Sequence, residues 1–305
     1  MFSVPFAAYK LGQSQPMKVK GMHSIGIRTK PDDSRASAIA GDLAAWLLKR
    51  GCEVLCDENQ PDSCGEKLPM SELAKRAELL IVLGGDGTLL GAGRHLVGSN
   101  VPILGINLGR LGFLTDTPVG SMFDVVAEVL SGNYKTKHHF ALLAESWRDG
   151  QLLKRGIAMN DVVLQRQSHP RPIEYELHFR DQLMFRTRAD GLVVATPAGS
   201  TAYALSAGGP IVHPEVEAMS VVPLCPHTLS NRPVVVPADD VLKLMLLDSP
   251  KPSALSLDGQ EHVNLLQGDS VSIQKAGQIC LVYLPERHYF NTLRSKLHWA
   301  GYDSE

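Results

Sequence analysis

The sequence predicts two domains: an α/β N-terminal domain, built on a parallel sheet with flanking helices, and an all-β C-terminal domain. Three observations support this prediction. Short apolar strands alternate with helical patterns from residue 24 to about residue 133, which is typical of a parallel sheet covered on both faces. Beyond residue 134, period-two runs such as residues 173–179 and frequent turn signals indicate antiparallel β structure. The 305 residues are also enough to bury two cores.

The N-terminal domain is assigned to residues 1–133, of which residues 1–22 show no periodicity and form an irregular lead-in. Asp32 or Asp33 is placed to cap the first helix, and Pro118 occupies a first helical position before the last one. Strands are predicted at residues 24–27, 52–56, 79–83 and 101–106, and further helices at residues 71–77, 88–97 and 122–130.

The C-terminal domain is assigned to residues 134–288, where the period-two pattern continues to the run at residues 271–283. Residues 289–305 form a separate C-terminal segment. Leu293 and Leu297 lie four positions apart in it, which indicates a helix with one apolar face. We expect this helix to pack back on the first domain.

Composition and charge exclude several classes of function. The formal net charge is −2 and 44% of the residues are hydrophobic, so nothing indicates binding to nucleic acid. No apolar run approaches the roughly 20 residues that span a bilayer, and the chain does not begin like a signal peptide. We expect a cytoplasmic protein without membrane attachment. The five cysteines include no CxxC pair, so reduced thiols and no metal site are expected.

The most informative segment is Gly84-Gly85-Asp86-Gly87-Thr88, directly after an apolar strand and before a helical pattern. Glycines permit positive φ angles and let a phosphate approach backbone N–H groups, and a helix N-terminus also favours an anion. A carboxylate would repel that phosphate. Asp86 is therefore a candidate for taking a proton from an attacking hydroxyl, or for holding the magnesium of a nucleotide. The alternative is that Asp86 only caps the helix.

Residues 196–203 combine hydroxyl side chains, small residues and a turn, which makes a polar cradle for a ligand. The alternative is a Ser/Thr-capped helix start. Ser200 is not expected to be a nucleophile, because it lacks a Gly-x-Ser-x-Gly turn. Asn160 and Asp161 stand at the head of a strand, where an amide and a carboxylate can bind ribose hydroxyls or an adenine edge. Ordinary turn chemistry is the alternative.

Three turn-like segments add weaker candidates. Asp190 and Gln260 supply hydrogen-bonding groups for an amide or a ribose, and Arg188 supplies a cation for a pyrophosphate. Arg171 lies in a small basic loop, His169-Pro170-Arg171, that is placed to touch a ligand phosphate or to remain in solvent.

Five segments, taken in order, resemble the NAD kinase family. The glycine loop alone is shared with 6-phosphofructokinases and lipid kinases of the diacylglycerol type, but the ordered set is far more specific. The resemblance runs from about Ser24 to Tyr289. The segments are Gly-Gly-Asp-Gly-Thr at 84–88, Asn-Leu-Gly-Arg-Leu-Gly-Phe-Leu-Thr at 107–115, Asn-Asp at 160–161, Thr-Pro-Ala-Gly-Ser-Thr-Ala-Tyr at 196–203 and Asp-Gly-Gln at 258–260.

The resemblance implies an ATP-dependent phosphorylation of the 2′-hydroxyl of the adenosine ribose of NAD, which gives NADP. It implies Asp86 as the general base, magnesium accompanying ATP, an active site between the two domains, and a homodimer or homotetramer. The glycine loop, including Gly84, Gly85 and Thr88, would serve the donor phosphates. The dinucleotide site would be lined by Gly87, Asn160, Asp161, Thr201, Ala202, Tyr203, Ser206 and Gln260, with Arg188 and Asp190 at the second half of NAD and Arg171 as a further contact.

The chain departs from the family pattern at two places. The family usually has Asn-Glu where this chain has Asn160-Asp161, so the carboxylate is one methylene shorter, and it often has His near Arg171. Two other functions remain as alternatives. A non-catalytic dinucleotide sensor would not need Asp86 beside a glycine loop, and a lipid or sugar kinase would share only that loop.

Overall fold

The computed structural model describes residues 21–30, 32–58, 64–167, 170–228, 230–285 and 289–299. Its first half is an alternation of strands and helices. In chain order these are β1 (Ser24–Thr29), α1 (Ser34–Leu48), β2 (Glu53–Asp57), β3 (Glu66–Leu68), α2 (Met70–Arg76), β4 (Leu79–Leu83), α3 (Asp86–Leu96), β5 (Pro102–Asn107), β6 (Thr117–Pro118) and α4 (Met122–Leu130).

The second half is built mainly from antiparallel strands. These elements are β7 (Lys135–Arg148), β8 (Gln151–Ala158), β9 (Asp161–Arg166), β10 (Ile173–Phe179), β11 (Gln182–Ala189), β12 (Gly191–Ala195), α5 (Tyr203–Ser206), β13 (Ala218–Leu224), β14 (Val234–Pro237), β15 (Leu242–Asp248), β16 (Ser253–Leu257), β17 (Glu261–Leu265), β18 (Ser270–Tyr283) and α6 (Tyr289–Leu297).

Two sheets organise the described residues. A 12-stranded mixed sheet contains the path β11-β10-β15-β18-β5-β4-β1-β2-β3, with β6, β7 and β8 off this path. A 6-stranded antiparallel sheet has the order β14-β13-β12-β9-β16-β17. Because β18 pairs in parallel with β5 through Cys280 and Pro102, the first sheet passes from the α/β half into the β half. The predicted fold class is confirmed, with this continuous sheet as an unforeseen feature.

Apolar residues on both faces of the parallel strands form the core of the first half. Leu43 and Val126 pack from α1 and α4 on one face, and Leu73 and Leu89 from α2 and α3 on the other. The third core lies between the two sheets and includes Tyr175, whose hydroxyl donates to the carbonyl of Gly191 at 3.0 Å. Each fully buried Leu contributes roughly 1.5–3 kcal/mol relative to an exposed one.

Several predicted boundaries need correction. Helix α3 begins at Asp86, two residues before the predicted start, and its N-cap is Gly85. Pro118 lies in β6 and precedes a 3₁₀ turn, so it does not begin α4. Asp33 caps α1 as predicted, since its carboxylate accepts from the backbone N–H of Ala36 at 3.0 Å.

The cysteines also differ from expectation. Cys56 and Cys64 form a disulfide, whereas the sequence predicts reduced thiols; Cys52 and Cys280 are buried and free. Cys56 is the second-last residue of β2, and the Cα atom of Cys64, eight residues later, lies 6.2 Å from its Cα atom. Residues 1–20 of the predicted lead-in lie outside the described residues. No helix in the described part of the chain is long and apolar enough to cross a membrane.

Candidate active site

The glycine loop joins β4 to α3. None of its glycines has a positive φ, so the predicted use of positive φ is wrong. Close approach is the reason for glycine instead: a Cβ on Gly84 would lie 2.4 Å from the Thr88 hydroxyl oxygen. The loop therefore folds tightly onto the first turn of α3, and Asp86 is the first residue of that helix.

The Asp86 carboxylate is held by the neighbouring loop after β5. Its Oδ2 accepts from the backbone N–H of Phe113 at 2.8 Å. Its Oδ1 accepts from the N–H groups of Leu114 and Thr115 at 3.1 and 2.9 Å, and from the Thr115 hydroxyl at 2.8 Å. The two loops after β4 and β5 thus meet at one site, which is typical of the carboxyl ends of neighbouring parallel strands. Asp86 does not cap α3, because its carboxylate is used in these contacts.

These hydrogen bonds fix the carboxylate in one orientation. They also compensate its negative charge, since each of the four donors presents a positive hydrogen. An ionised carboxylate has about four acceptor positions on its two oxygens, and Oδ2 accepts a single hydrogen bond here. Oδ2 therefore keeps acceptor capacity for a hydroxyl group.

A cleft between the two domains lies beside Phe113 and Leu114 of the loop after β5. Its empty space, including the open mouth, is about 720 Å³. Phe113 and Leu114 line it from the first half, and Pro197 and Thr201 from the second. Tyr289 of α6 lines the same cleft, and the packing of α6 on the first domain stays a prediction. The remaining lining residues are Asp116, Lys137, His139, Ala198, Pro214, Leu281, Val282, Tyr283 and Thr292.

The lining of the cleft combines apolar and aromatic side chains with several polar groups and few charges. The Lys137 ammonium lies 4.7 Å from the centre of the Tyr283 ring. Burial, and then the charges of Lys137 and His138, lower the pKa of His139 to about 4, so this imidazole is neutral at neutral pH. A planar aromatic ligand with polar edges suits such a surface.

A second depression, which we call the glycine groove, lies at the loop of residues 84–88. It is lined by Arg28, Lys30, Gly85, Gly87, Thr88, Gly91 and Gln260. Arg28 pairs with Asp57 at 3.0 Å, while Lys30 is exposed. Two cations and a helix N-terminus face the same space, which is an arrangement that binds phosphates.

Asn160 and Asp161 are positioned by Asp258. The Asp258 carboxylate is fully buried and accepts from the backbone N–H groups of Met159, Asn160 and Asp161 at 3.0, 2.8 and 3.2 Å. Burial, and then the charge of Asp258, raise the pKa of Asp161 to about 7. The amide Oδ1 of Asn160 is buried without a hydrogen-bond partner. A buried acceptor of this kind is expected to receive a ligand donor.

Residues 199–201 form a 3₁₀ turn, and α5 follows at Tyr203–Ser206. Neither start has a side-chain cap, so a Ser/Thr-capped start is not observed, and the ligand cradle stays a prediction. Thr196 donates to the Met159 carbonyl at 2.7 Å and accepts from the Gly199 N–H at 3.0 Å, which ties the segment to the Asn160 loop. Ser200 is buried and bonded to the main chain at Pro197 and Val212. Thr201 lines the cleft. Ala202 is the next residue and the N-cap of α5, and Tyr203 and Ser206 are the first and last residues of that helix.

Three predicted residues lie elsewhere. β9 and β12 run antiparallel with Asp161 opposite Ala195, so Asp190 lies at the other end of β12, roughly 15 Å away by strand length. There it pairs with Arg166 at 2.6 Å. Arg188 is exposed and pairs with Glu174 at 2.8 Å, and Arg171 is exposed just before β10. Their assignment to the second half of a dinucleotide stays a prediction.

Comparison with known proteins identifies the family. The ATP-NAD kinase N-terminal domain matches residues 25–134 and the ATP-NAD kinase C-terminal domain matches residues 159–282. The chain is 41% identical over 287 residues to the NAD kinase of Magnetococcus marinus, covering 92% of this chain and 94% of that protein. The chain belongs to the NAD kinase family. The comparison accordingly supports an NAD kinase, which is a phosphotransferase.

Further relatives agree with this NAD kinase assignment. The NAD kinase of Shewanella oneidensis is 40% identical over 284 residues, covering 92% of this chain and 97% of that one. A crystal structure of yeast NADH kinase complexed with NADH superposes with a TM-score of 0.82 at 28% identity, covering 94% of this chain and 89% of that one. An Archaeoglobus fulgidus NAD kinase in complex with ATP gives 0.71 at 25% identity, covering 91% and 99%. The sensor and the lipid or sugar kinase are therefore set aside.

Sequence reasoning did not single out several residues that the structure places at this candidate site. The backbone donors of residues 113–115 sit in a recognised segment, but nothing in a one-dimensional pattern shows that three N–H groups converge on Asp86. Arg28, Lys30 and Lys137 carry no local signal beyond their charge. The described residues include no group of three or more His, Cys, Asp or Glu that could hold a metal ion.

Proposed function

We propose that this NAD kinase transfers the γ-phosphoryl group of ATP to the 2′-hydroxyl of the adenosine ribose of NAD, with Asp86 as the general base. The observation that carries the proposal is the fixed Asp86 carboxylate. It accepts from the N–H groups of Phe113 and Leu114, which line the cleft, and its chain neighbours Gly85 and Gly87 line the glycine groove. A base between acceptor and donor is what phosphoryl transfer to an alcohol requires.

The atoms balance as follows. The ribose hydroxyl gives its proton to Asp86 Oδ2 while its oxygen forms a bond to the γ-phosphorus. The bond from that phosphorus to the oxygen bridging the β- and γ-phosphates breaks, and ADP leaves. Asp86 then releases the proton to water. Catalysis is mostly positioning, because the hydroxyl must be aligned with phosphorus when its proton is removed.

The inter-domain cleft is proposed as the acceptor site. Its apolar wall suits adenine, and the unpartnered Oδ1 of Asn160 can accept from a ribose hydroxyl or the adenine amine. Asp161, with a pKa near 7, can accept or donate a hydrogen bond to a ribose hydroxyl at neutral pH. The complex of yeast NADH kinase with NADH supports a dinucleotide acceptor in this fold.

The glycine groove is proposed as the donor site. Arg28 and Lys30 supply positive charge, and the N-terminus of α3 supplies backbone N–H groups for the transferring phosphates. The complex of the Archaeoglobus fulgidus NAD kinase with ATP supports this nucleotide as the donor. We propose that magnesium arrives bound to the ATP phosphates, as part of the substrate, where it neutralises their charge.

The end-point experiment combines wild type with Asp86→Asn, and with Asp124→Asn on an exposed part of α4 as the control. With Mg²⁺, ATP and NAD, we expect NADP, detected by an NADP-specific dehydrogenase and by the position of the phosphate in ³¹P NMR. Asp86→Asn should keep NAD binding and lose turnover by ~10²–10⁴, while Asp124→Asn should match wild type. Equal turnover in folded Asp86→Asn would exclude the general-base role.

The second half of the dinucleotide and the oligomeric state complete the proposal. We propose that Arg171, Arg188 and Asp190 contact the nicotinamide half, and that the protein is a homodimer or homotetramer. Light scattering measures the mass of the particle in solution and so tests the oligomeric state. For the contact with the nicotinamide half, a raised KM for NAD and an unchanged KM for ATP in an Asp190→Ala variant would support the proposal. An unchanged KM for both substrates would contradict it.

A further inference from the structure

Arg94 connects the helix of the active-site loop to the β half of the protein. It lies on α3 about two turns after Asp86. Its side chain is only 11% exposed and reaches the turn between β16 and β17. There the guanidinium contacts the side-chain oxygen of Gln260, Glu261 Oε1 at 3.3 Å and Asp258 Oδ2 at 3.8 Å. We call these four residues the Arg94 clamp.

The turn held by the clamp touches both sides of the active site. Gln260 Nε2 donates to the carbonyl oxygen of Gly87, next to Asp86, at 3.1 Å. Asp258, in the same turn, holds the backbone of Asn160 and Asp161. A single turn therefore contacts the segment that carries the base and the segment proposed to carry the acceptor. Any movement of this turn relative to α3 would change the separation of the two.

The charges of the clamp require an arginine. Asp258 is a fully buried carboxylate with Asp161 close by, and a buried charge is costly unless a counter-charge and hydrogen bonds compensate it. The planar guanidinium can serve three acceptors in fixed directions, which the single ammonium of lysine cannot do. Lys154 holds Glu261 from the other side at 2.6 Å, so the turn is charged on both flanks.

We propose that Arg94 is a positioning residue for phosphoryl transfer: it holds the 258–261 turn against α3 and thereby sets the placement of the acceptor ribose relative to Asp86. This rests on the proposed function of Asp86 and of the Asn160–Asp161 segment. Misplacement of reacting groups by about 1 Å costs on the order of 10²-fold in rate. Arg94 therefore affects turnover through other residues, and does not touch the reacting atoms.

The test compares Arg94→Met and Arg94→Lys with Arg148→Met. Arg148 makes a matched guanidinium–carboxylate pair with buried Asp269, at 2.9 and 2.8 Å, away from the clamp. We expect Arg94→Met to lower kcat by ~10–100-fold and to leave the NAD dissociation constant, measured without ATP, within about threefold of wild type. Arg94→Lys should recover part of kcat. Arg148→Met should lower Tm and keep kcat.

Two results would overturn the proposal. One is an Arg94→Met protein that loses Tm as Arg148→Met does but keeps its kcat, which means that the residue is only structural. The other is a loss of NAD affinity equal to the loss of turnover, which means a direct ligand contact. Activity of wild type and of Arg148→Met is measured in the same series, so failure of the proposed function itself would be recognised by their inactivity.

A double-mutant cycle gives an independent readout if Arg94→Met folds poorly. Gln260→Ala removes the contact to the Gly87 carbonyl, so much of the effect of the clamp on that loop is already lost. In this background Arg94→Lys is expected to lower kcat by a smaller factor than it does in wild type. Equal factors in both backgrounds would contradict action through the 258–261 turn.

Discussion

Gly112 and Asp86 are in direct contact: a Cβ built on Gly112 would lie 1.9 Å from Oδ1 of the Asp86 carboxylate. The absence of a side chain at position 112 is therefore what lets this carboxylate reach the N–H groups of residues 113–115. The requirement concerns space and not backbone conformation, since Gly112 has no positive φ. A glycine in the loop after β5 thus determines the position of the Asp86 carboxylate in the loop after β4.

Gly112→Ala is predicted to displace the Asp86 carboxylate and to lower kcat by ~10²-fold, because a contact under 2 Å must be relieved by movement of one loop. The measurement is steady-state kinetics with NAD and ATP. Gly109→Ala is the matched control in the same loop, since a Cβ there meets no atom within 4 Å. We expect the control to keep its kcat, and equal kinetics for both variants would contradict the packing argument.

Much of the architecture could be predicted from local pattern. The apolar run at residues 79–83 and the helical periodicity after it follow from elementary rules of burial and spacing, and β4 and α3 confirm both. The continuity of the first sheet could not be predicted. It depends on a short parallel pairing of Cys280 with Pro102, residues far apart in sequence, which no local period encodes.

The candidate site also combines features that the sequence indicates with features that only the structure shows. The Asp86 loop and the Asn160–Asp161 pair could be singled out as candidates because their residue types are themselves the chemical signal. The contacts that hold them could not, because Arg94 and Asp258 act through three-dimensional proximity to residues on other elements. Asp190 shows the same limit: its residue type suits a ligand contact, but only the β9–β12 register shows that it lies at the far end of β12 from Thr196, where its contact with the second half of a dinucleotide stays a prediction.

Asp161 is predicted to make stability depend on pH. Its folded-state pKa is raised to about 7 by burial and then by Asp258, so between about pH 4 and pH 7 the folded protein holds a proton that the unfolded chain has lost. Proton binding at Asp161 therefore stabilises the folded protein fully below the ordinary pKa of an aspartate, and this stabilisation is lost as the pH rises to 7. Asp161→Asn cannot ionise and should gain stability relative to wild type over that window.

The measurement is Tm of wild type and Asp161→Asn from pH 4.5 to pH 7.5. The difference should grow with pH in favour of the variant, by on the order of a few kcal/mol in unfolding free energy. Asp124→Asn, on the exposed surface of α4, is the control and should show no comparable growth. A difference that stays constant with pH would contradict the raised pKa.

Lys30 is predicted to contribute to donor binding. It is exposed, lines the glycine groove beside Arg28, and supplies a cation for the ATP phosphates. Lys30→Met should raise KM for ATP by roughly three- to tenfold and leave KM for NAD unchanged, with the effect shrinking at high salt. Lys75→Met, which removes only an exposed pair with Glu72, is the control. A larger change in KM for NAD than for ATP would place Lys30 at the acceptor instead.

Asn160 is predicted to lower the stability of the fold and to strengthen ligand binding. Its buried Oδ1 lacks a partner in the ligand-free protein, so the desolvation cost of that atom, about 1–3 kcal/mol, is not repaid until a donor arrives. Asn160→Ala should therefore weaken NAD binding about tenfold while Tm stays level or rises. Isothermal titration with NAD and thermal unfolding measure the two effects.

The contrasting variant is Asn107→Ala. Asn107 is also buried, but its amide donates to the Thr115 hydroxyl at 2.9 Å and its Oδ1 accepts from the Gly109 N–H at 2.7 Å. Because these bonds are complete without ligand, their loss should lower the unfolding free energy by about 1–3 kcal/mol. If Asn160→Ala lowers Tm as much as Asn107→Ala and leaves NAD affinity unchanged, then Asn160 stabilises the fold and does not bind the ligand.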